Sequence, residues 1–299
     1  MEKVLPQGGS DIMLKNLYKY VDVPDNVNII MSRCDESLIV ADKKNIVWVH
    51  IPHNQPLVQN ITDKYFQRQV DAFVYVSHWQ HEKFRFVHQI PLHNTYVIKN
   101  AIEPIEFIKK PTTGKKKIVF AAPPYRGLEP MLDSFALLDR DDVELDVYSS
   151  NIIYGSDYVK HEGEKYDYLF NRAREMSNVN YKGYVPNAEL RKALQEAHIF
   201  AYPNIFEETS CMTMIEAGAA GCQMITTNVG ALPETGSEFA TLVPIQADYK
   251  DLVSIYTERL NAEIDSDIPD SESLYQSEFY NKKYSWDLRA KTWENLFKS

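Results

Sequence analysis

The stretch FEETSCMTMIEAGAAG, residues 206–221, places two carboxylates beside a run of small residues. The pattern is typical of a loop that leads into a helix, and Glu216 falls inside that helix, where Ala and Gly favour close backbone packing. A buried carboxylate costs free energy unless a donor or a cation pairs with it. We therefore expect Glu208 and Glu216 to have dedicated partners, either in the protein or in a ligand.

Strand-like apolar runs alternate with helical patterns on both sides of this stretch. The runs that indicate buried parallel strands are 45–51, 72–78, 117–122, 143–149, 198–203 and 223–228. The helical patterns are at 10–21, 62–70, 78–88, 127–139, 187–197, 211–221 and 247–262. This alternation predicts an α/β fold with parallel sheets.

The segment FIKKPTTGKKK, 107–117, has the composition of a polar linker, and a new strand pattern begins directly after it. We therefore expect two α/β domains, 1–108 and 109–282, followed by a last helix over 283–299. In that helix, Trp286, Leu288, Trp293 and Leu296 are predicted to line an apolar face.

The N-terminal segment MEKVLPQGGSD contains a Gly-Gly turn that is predicted to open a helix, with Ser10 or Asp11 as its cap. Gly9 could let an anion approach the backbone N–H groups at the helix start, although a plain turn is the alternative. In a Rossmann-like domain a strand precedes such a turn. Because only MEKVLP is present, that first strand is expected to be short or missing.

Composition excludes several classes of protein. The net charge of −10 over 299 residues argues against general nucleic-acid binding. No apolar run approaches the roughly 20 residues of a membrane span, and no signal-peptide core is present, although peripheral membrane contact is left open. Cys34, Cys211 and Cys222 show no metal or redox spacing, so we expect reduced thiols in a cytoplasmic protein.

Polar residues follow several of the predicted strands. His50 ends one strand and His53 lies in the loop beyond it, while Ser77 and His78 follow a second strand. Arg126 follows a third strand and Glu208 a fourth. Because ligands bind outside the carboxyl ends of strands in open parallel sheets, these residues predict a cleft between two facing domains.

The stretch EETSCMTMIEAGAAGCQMITTNVGALPETG, 207–236, resembles the signature of the family 4 glycosyltransferases, retaining enzymes of the GT-B fold. That signature has two Glu separated by seven residues, as Glu208 and Glu216 are, followed by a Gly-containing loop that ends in Pro-Glu. Further segments resemble the family in the same order: VYVSHWQHEKF, YVIKNAIEPIEF with Ala101 for Gly and Glu103 for Asp, VFAAPPYRGLEPMLDSF, and YKGYVPNAELRKALQEAHIFAYPN.

The resemblance implies two facing Rossmann-like domains with a cleft between them. YSWDLRAKTW, 284–293, is similar to the crossover helix with which the family returns to its first domain. The implied activity is that of a retaining, hexosyltransferase-type enzyme that takes a sugar from a nucleotide-diphosphate sugar.

The resemblance also implies roles for the glutamates. Glu216 is expected to bind the ribose hydroxyls, so that charge-assisted hydrogen bonds offset its burial. Glu208 is expected at the donor sugar, where it would stabilise positive charge at the anomeric carbon. The backbone N–H groups of Thr209, Ser210 and Cys211 are expected to face sugar or phosphate oxygens.

Arg126 is expected to meet the negative charge that grows on the leaving diphosphate, because a guanidinium contacts phosphate oxygens in bidentate fashion. The family often has an Arg here and a Lys-Gly several residues on, but this sequence has only PPYRG, in which Arg126 stands at the Lys-like position and no earlier Arg is present. By the same resemblance, Val185 is expected near the nucleobase. The backbone of the loop that contains Gly230 and Ala231 is expected to close on the diphosphate.

The acceptor side is less defined. His50 or His53 is expected to orient the acceptor, and His50 fits the strand edge better. The resemblance implies that the leaving phosphate helps to deprotonate the acceptor, which could be a glycan, a lipid or a small molecule. The acidic run DRDD, 139–142, follows a predicted helix, so no Asp-x-Asp metal motif lies at a cleft edge and no metal cofactor is expected.

Two alternatives remain beside an active glycosyltransferase. A catalytically inactive GT-B-like binding or scaffold module would keep the same fold. Another Rossmann-type enzyme, such as a dehydrogenase, is the weaker alternative, because no GxGxxG follows a first strand.

Overall fold

The computed structural model describes residues 8–90, 93–152 and 163–299, and contains two parallel β-sheets covered by helices. The first sheet has the order β1-β2-β3-β4, and all neighbouring strands are parallel. Its strands are β1 Val27–Met31, β2 Lys44–Val49, β3 Ala72–Tyr75 and β4 Thr95–Val97. The expectation that the first strand is short or missing concerns residues 1–6, which lie outside the described residues.

The helices around the first sheet are α1 Gly9–Tyr20, α2 Lys64–Gln69 and α3 His78–His88, with 3-10 turns at Glu36–Leu38 and Pro56–Thr62. Gly8, rather than Ser10 or Asp11, is the N-cap of α1. Asp11 lies in the first turn instead and accepts a hydrogen bond from the Gly8 N–H at 3.0 Å.

The second sheet has the order β10-β9-β8-β5-β6-β7, again with parallel neighbours throughout. Its strands are β5 Lys116–Ala121, β6 Val143–Tyr148, β7 Val179–Tyr181, β8 Ile199–Tyr202, β9 Gln223–Thr227 and β10 Ala240–Val243. The strand order reverses between β5 and β8. Such a switch point opens a crevice at the carboxyl ends of its two strands, where ligands bind in open α/β sheets.

Seven helices follow β5 and surround the second sheet within the described part of the chain. They are α4 Leu128–Leu138, α5 Asp167–Glu175, α6 Asn187–Glu196, α7 Met212–Ala219, α8 Leu232–Gly236, α9 Tyr249–Asp265 and α10 Asp270–Lys283. Short 3-10 turns occupy Pro124–Arg126 and Gly163–Tyr166. Together the two sheets confirm the expected α/β class.

The small residues of α7 admit a bulky neighbour. A Cβ atom added to Gly218 would lie 2.6 Å from the ring of Tyr280, which belongs to α10. The Tyr280 hydroxyl donates to the carbonyl oxygens of Thr235 and Gly236 at 2.8 and 2.9 Å. Close packing against α10 therefore accounts for the run of Ala and Gly around Glu216.

The last helix, α11 Trp286–Lys298, packs on the first sheet although it follows the second in sequence. Trp293 meets Trp48 of β2 edge to face at 4.8 Å, and Trp286 stacks on Tyr20 of α1 at 5.4 Å. The prediction was wrong for Leu288, which is 46% exposed. Trp286, Trp293 and Leu296 share one helical stripe, whereas a residue two positions after Trp286 points to the other side.

No helix among the described residues is long and apolar enough to cross a membrane.

Candidate functional site

A cavity of about 450 Å³ opens between the two sheets at the carboxyl ends of their strands. Residues from both halves of the chain line it. The predicted site residues on its wall are Gly9, His50, Arg126, Val185, Glu208, Thr209, Ser210, Cys211 and Glu216. His53, Gly230 and Ala231 do not line it.

Arg126 and Glu208 meet at the switch point of the second sheet. Arg126 follows β5, Glu208 follows β8, and Arg126 Nη1 lies 2.8 Å from Glu208 Oε1. The Tyr202 hydroxyl donates to the same oxygen at 2.6 Å. Burial raises the pKa of Tyr202, so its hydroxyl keeps the proton that it donates. Glu208 is 4% exposed, and these two donors offset the cost of its burial.

The aromatic side chains around Arg126 hold its guanidinium in place. Its centre lies 4.6 Å from the ring centroid of Phe206 and 5.5 Å from that of Tyr125. These distances are within the range of cation–π attraction. Among the described residues that line the cavity, Arg126 is the one Lys or Arg side chain.

Glu216 lies in the middle of α7 and is 3% exposed. The Nδ2 atom of Asn187, the first residue of α6, donates to its two carboxylate oxygens at 3.0 and 3.1 Å. Burial raises the pKa of Glu216 to about 7, although Asn187 and the nearby Arg191 oppose the shift. Sequence reasoning missed Asn187, because an Asn after a Pro reads as an ordinary helix start.

The N-terminal turns of two helices face the same cavity. Residues 8–12 open α1 and residues 209–213 open α7, and all of them line the cavity wall. The first N–H groups of a helix have no partner within that helix, so this wall offers backbone donors. Burial raises the pKa of the Cys211 thiol, which therefore stays protonated.

Gly230 and Ala231 support Glu208 from behind instead of facing the cavity. The Ala231 N–H donates to the Glu208 carbonyl oxygen at 2.7 Å. Gly230 has φ +66°, and a Cβ atom there would lie 2.5 Å from the backbone N and O of Glu208. The loop therefore fixes the backbone of the glutamate through a contact that only glycine permits.

His50 reaches the cavity from the end of β2. Burial lowers its pKa to about 3, so the ring is neutral. Its Nε2 atom is buried and has no hydrogen-bond partner among the described residues. Its carbonyl oxygen accepts a hydrogen bond from Thr209 Oγ1 at 2.9 Å, which joins the two halves of the chain across the cavity.

Two further predicted residues have structural contacts outside the cavity. His53 Nδ1 lies 3.6 Å from Glu207 Oε2. Ser77 caps α3, since its hydroxyl accepts from the Gln80 N–H at 3.0 Å. In contrast, Asn100, which sequence reasoning did not select, lines the cavity at 3% exposure, and its Oδ1 atom has no partner among the described residues.

Glu234, at the end of the Gly230 loop, ties the second half of the chain to the first. Its carboxylate accepts from the N–H groups of His78 and Trp79 at 3.1 and 3.0 Å and pairs with Lys99 Nζ at 2.7 Å. Burial alone would raise its pKa, but Lys99 and the two N–H groups outweigh burial and lower it. The carboxylate therefore stays ionised and holds the two halves together.

Solved structures share this architecture. The chain superposes on the GtfA/B complex with a TM-score of 0.65 at 14% identity, covering 90% of this chain and 56% of that one. It superposes on the pneumococcal O-GlcNAc transferase GtfA in complex with UDP and GlcNAc with a TM-score of 0.66 at 12% identity, covering 97% of this chain and 60% of that one. For sucrose-phosphate synthase from Thermosynechococcus elongatus the TM-score is 0.63 at 16% identity, with 86% of this chain and 67% of that one covered. The chain thus spans less than two thirds of the first two proteins.

Two parallel sheets that face each other across a cavity define a GT-B glycosyltransferase fold, as the resemblance predicted. The family model for glycosyl transferases group 1 matches residues 102–263, more than half of the chain. The chain therefore belongs to glycosyl transferases group 1. A comparison with curated proteins found no match.

Proposed function

We propose that the protein transfers a sugar from a nucleotide-diphosphate sugar to an acceptor hydroxyl, with retention of configuration and without a metal cofactor. The observation that carries the proposal is the placement of Glu208, Arg126 and Glu216 around one cavity at the switch point of the second sheet. A cavity of about 450 Å³ has the size of a small-molecule site.

The two glutamates take different parts of the donor in this proposal. Glu216 lies deep in the wall beside Asn187 and accepts the ribose hydroxyls. Glu208 lies beside Arg126 at the strand ends, where the sugar and its phosphate meet. Positive charge at the anomeric carbon and negative charge on the leaving phosphate then develop next to a carboxylate and a guanidinium, respectively. Fixed charges that match developing charges lower the barrier to reaction.

The remaining predicted residues complete the donor and acceptor sides. The opening turn of α7 offers N–H groups to sugar or phosphate oxygens, Gly9 opens the facing turn of α1, and Val185 contacts the nucleobase. His50 is neutral, so it orients the acceptor hydroxyl through hydrogen bonds instead of charge. We place the domain boundaries at 1–108, 109–282 and 283–299.

The first test is a screen of UDP-, GDP- and ADP-sugars for release of the free diphosphate, with sugar hydroxyls and water as acceptors. Wild type should turn over at least one donor, and NMR should show that the product keeps the anomeric configuration of the donor. Inversion would overturn the retaining assignment, and absence of turnover with every donor would overturn the proposed activity.

The role of Arg126 and the proposed independence from metal ions are tested in the same assay. Arg126→Ala should lower turnover by about 100-fold or more, the scale of losing one preorganised electrostatic donor. Arg126→Lys should recover part of it, since an ammonium keeps the charge but loses the bidentate geometry. Turnover by wild type should persist in EDTA. Near-normal turnover in Arg126→Ala would contradict the role, and loss of activity in EDTA would show that a metal carries the charge.

An inactive binding module is the second candidate, because the Arg126 guanidinium is paired with Glu208 within the protein. A module of this kind would bind a nucleoside diphosphate tightly enough to raise the melting temperature. It would nevertheless release no diphosphate from any donor in the screen, which separates it from an enzyme.

A further inference from the structure

The amide of Asn187 has an unusual target for its position. Asn187 is the first residue of α6 and follows the cavity-lining segment Gly183–Pro186. An Asn near a helix start commonly bonds to the free N–H groups of its own helix. Here the side chain reaches across to α7 instead, and its Nδ2 atom lies at nearly equal distances from both oxygens of Glu216.

Glu216 depends on this one amide. Among the described residues no other hydrogen bond to its carboxylate is present. The charged side chains that act on it are Arg191 of α6, which favours the ionised form, and Glu103 of the interdomain segment, which opposes it. The nearby Cys211 thiol is protonated and adds no charge.

The remaining hydrogen-bonding capacity of Glu216 is what a ribose would use. Each carboxylate oxygen has about two lone pairs, and the amide engages one position on each oxygen. The carboxylate lines the cavity, so the other positions are available to hydroxyl donors of a ligand.

We propose that Asn187 is the positioning residue for donor binding, and that its amide orients the Glu216 carboxylate so that both oxygens accept hydroxyls of the nucleotide ribose. This inference rests on the proposed function. The same amide favours the ionised carboxylate, because it donates to both oxygens. Without it, Glu216 keeps its proton to higher pH and a protonated oxygen no longer accepts.

The consequence is a pH dependence that a merely structural residue would not produce. Burial raises the pKa of Glu216 to about 7, so nucleotide affinity should rise with pH through neutrality as the carboxylate ionises. In Asn187→Ala the hydrogen-bond donor to Glu216 is lost, so the pKa of Glu216 rises further. The midpoint of the affinity profile then moves to higher pH. Asn187→Asp, of equal size, adds a like charge and should move it further.

The test is calorimetric titration of UDP, GDP and ADP between pH 6 and pH 9 into wild type, Asn187→Ala and Asn187→Asp. The matched control is Asn180→Ala, which removes an amide that bonds Asp146 away from the cavity at 2.9 Å. Both Asn187 variants should fold, because the residue is partly exposed and a helix start tolerates Asp.

At pH 7 we expect Asn187→Ala to bind about tenfold more weakly than wild type, the scale of one hydrogen bond to a charged group. The deficit should shrink toward pH 9, and Asn180→Ala should match wild type throughout. An equal deficit at every pH, or none, would overturn the role of Asn187 while wild type still binds. Failure of wild type to bind any of the three diphosphates would instead overturn the proposed function itself.

Discussion

Each of the two glutamates at the site accepts a hydrogen bond from a side chain that could not be predicted from the sequence. Glu208 accepts from Tyr202 and Glu216 from Asn187. The cost of burying a carboxylate predicts that partners exist, but not which residues they are. Tyr202 reads as a core residue of a buried strand, and its polar role depends on how the loop after β8 folds back. Spacing along the chain carries no signal for such a contact.

The Tyr202 hydroxyl can be removed with little change in packing. Tyr202→Phe keeps the ring against Phe120 and Phe200 but leaves Glu208 with Arg126 alone. We expect turnover to fall by about tenfold, since a buried carboxylate loses one hydrogen bond. Nucleotide affinity should change little, because the proposed partner of Glu208 is the sugar and not the nucleotide.

Tyr256→Phe is the matched control for this change, since it removes a buried hydroxyl that bonds the Ile225 carbonyl oxygen at 3.0 Å, outside the cavity. Steady-state kinetics on the identified donor give the comparison. Equal loss of turnover in the two variants would mean that Tyr202 acts through stability alone.

The strands that the sequence pattern missed share a position in the sheets. β1, β4, β7 and β10 are the four edge strands of the two described sheets. Five of the six predicted strands are mostly buried and form nearly continuous apolar runs, whereas β6 alternates buried and half-buried residues. Edge strands are short or only partly buried here, so their runs are broken by polar residues.

The Gly230 loop shows where reasoning from the sequence located an element without its contacts. The loop does follow β9 as expected, yet it supports Glu208 and does not line the cavity. A resemblance assigns a segment to a site, but only the folded chain decides which of its backbone groups face a ligand. The same holds for His53, which directly follows the wall residues Ile51 and Pro52 but does not line the cavity.

Gly230→Ala should therefore damage catalysis through the backbone of Glu208. The new Cβ atom would lie 2.5 Å from that backbone, so the glutamate must move. We expect turnover to fall more than about tenfold, because small displacements of catalytic groups are costly. Gly114→Ala is the control, since Gly114 also has positive φ but nothing within 4 Å of the added atom. It should lose only about 1 kcal/mol of stability and no activity. Full activity in Gly230→Ala would refute the contact.

At the scale of the whole molecule, the loops that carry the site also join its two halves. Thr209 reaches the carbonyl oxygen of His50, Glu207 pairs with Lys83 at 3.0 Å, and Glu234 binds the start of α3 and Lys99. The arrangement of the two sheets therefore depends on the two neighbours of Glu208 in sequence and on Glu234. Substitutions at these residues should therefore change both the shape of the cavity and the free energy of unfolding.

Glu234→Gln tests the contacts of Glu234 that connect the two halves of the chain. It removes the charge that pairs with Lys99, and we expect about 1 kcal/mol or more of lost stability at pH 7, since the pair is partly buried. The pKa of Glu234 is lowered, so the stabilisation is present above its ordinary pKa and is lost as pH falls through the lowered value.

The difference in melting temperature between wild type and Glu234→Gln should accordingly be constant near neutral pH, and should narrow as the pH falls below the ordinary pKa of a glutamate, toward pH 3. Glu82→Gln is the control, because it breaks an exposed pair with Arg85 that should contribute little. A difference that stays constant over this pH range would contradict an ionic contact.

The central claim is that one cavity binds a nucleotide sugar, with Glu216 on the nucleotide and Glu208 on the sugar. Titration of the free nucleoside diphosphate into wild type, Glu216→Ala and Glu208→Ala tests it most directly. We predict that wild type binds and that Glu216→Ala weakens binding by roughly tenfold to a hundredfold, the loss of a hydrogen bond to a charged group. Glu208→Ala should bind nearly as wild type while losing turnover. Equal weakening in both variants, or no binding by wild type, would contradict the account.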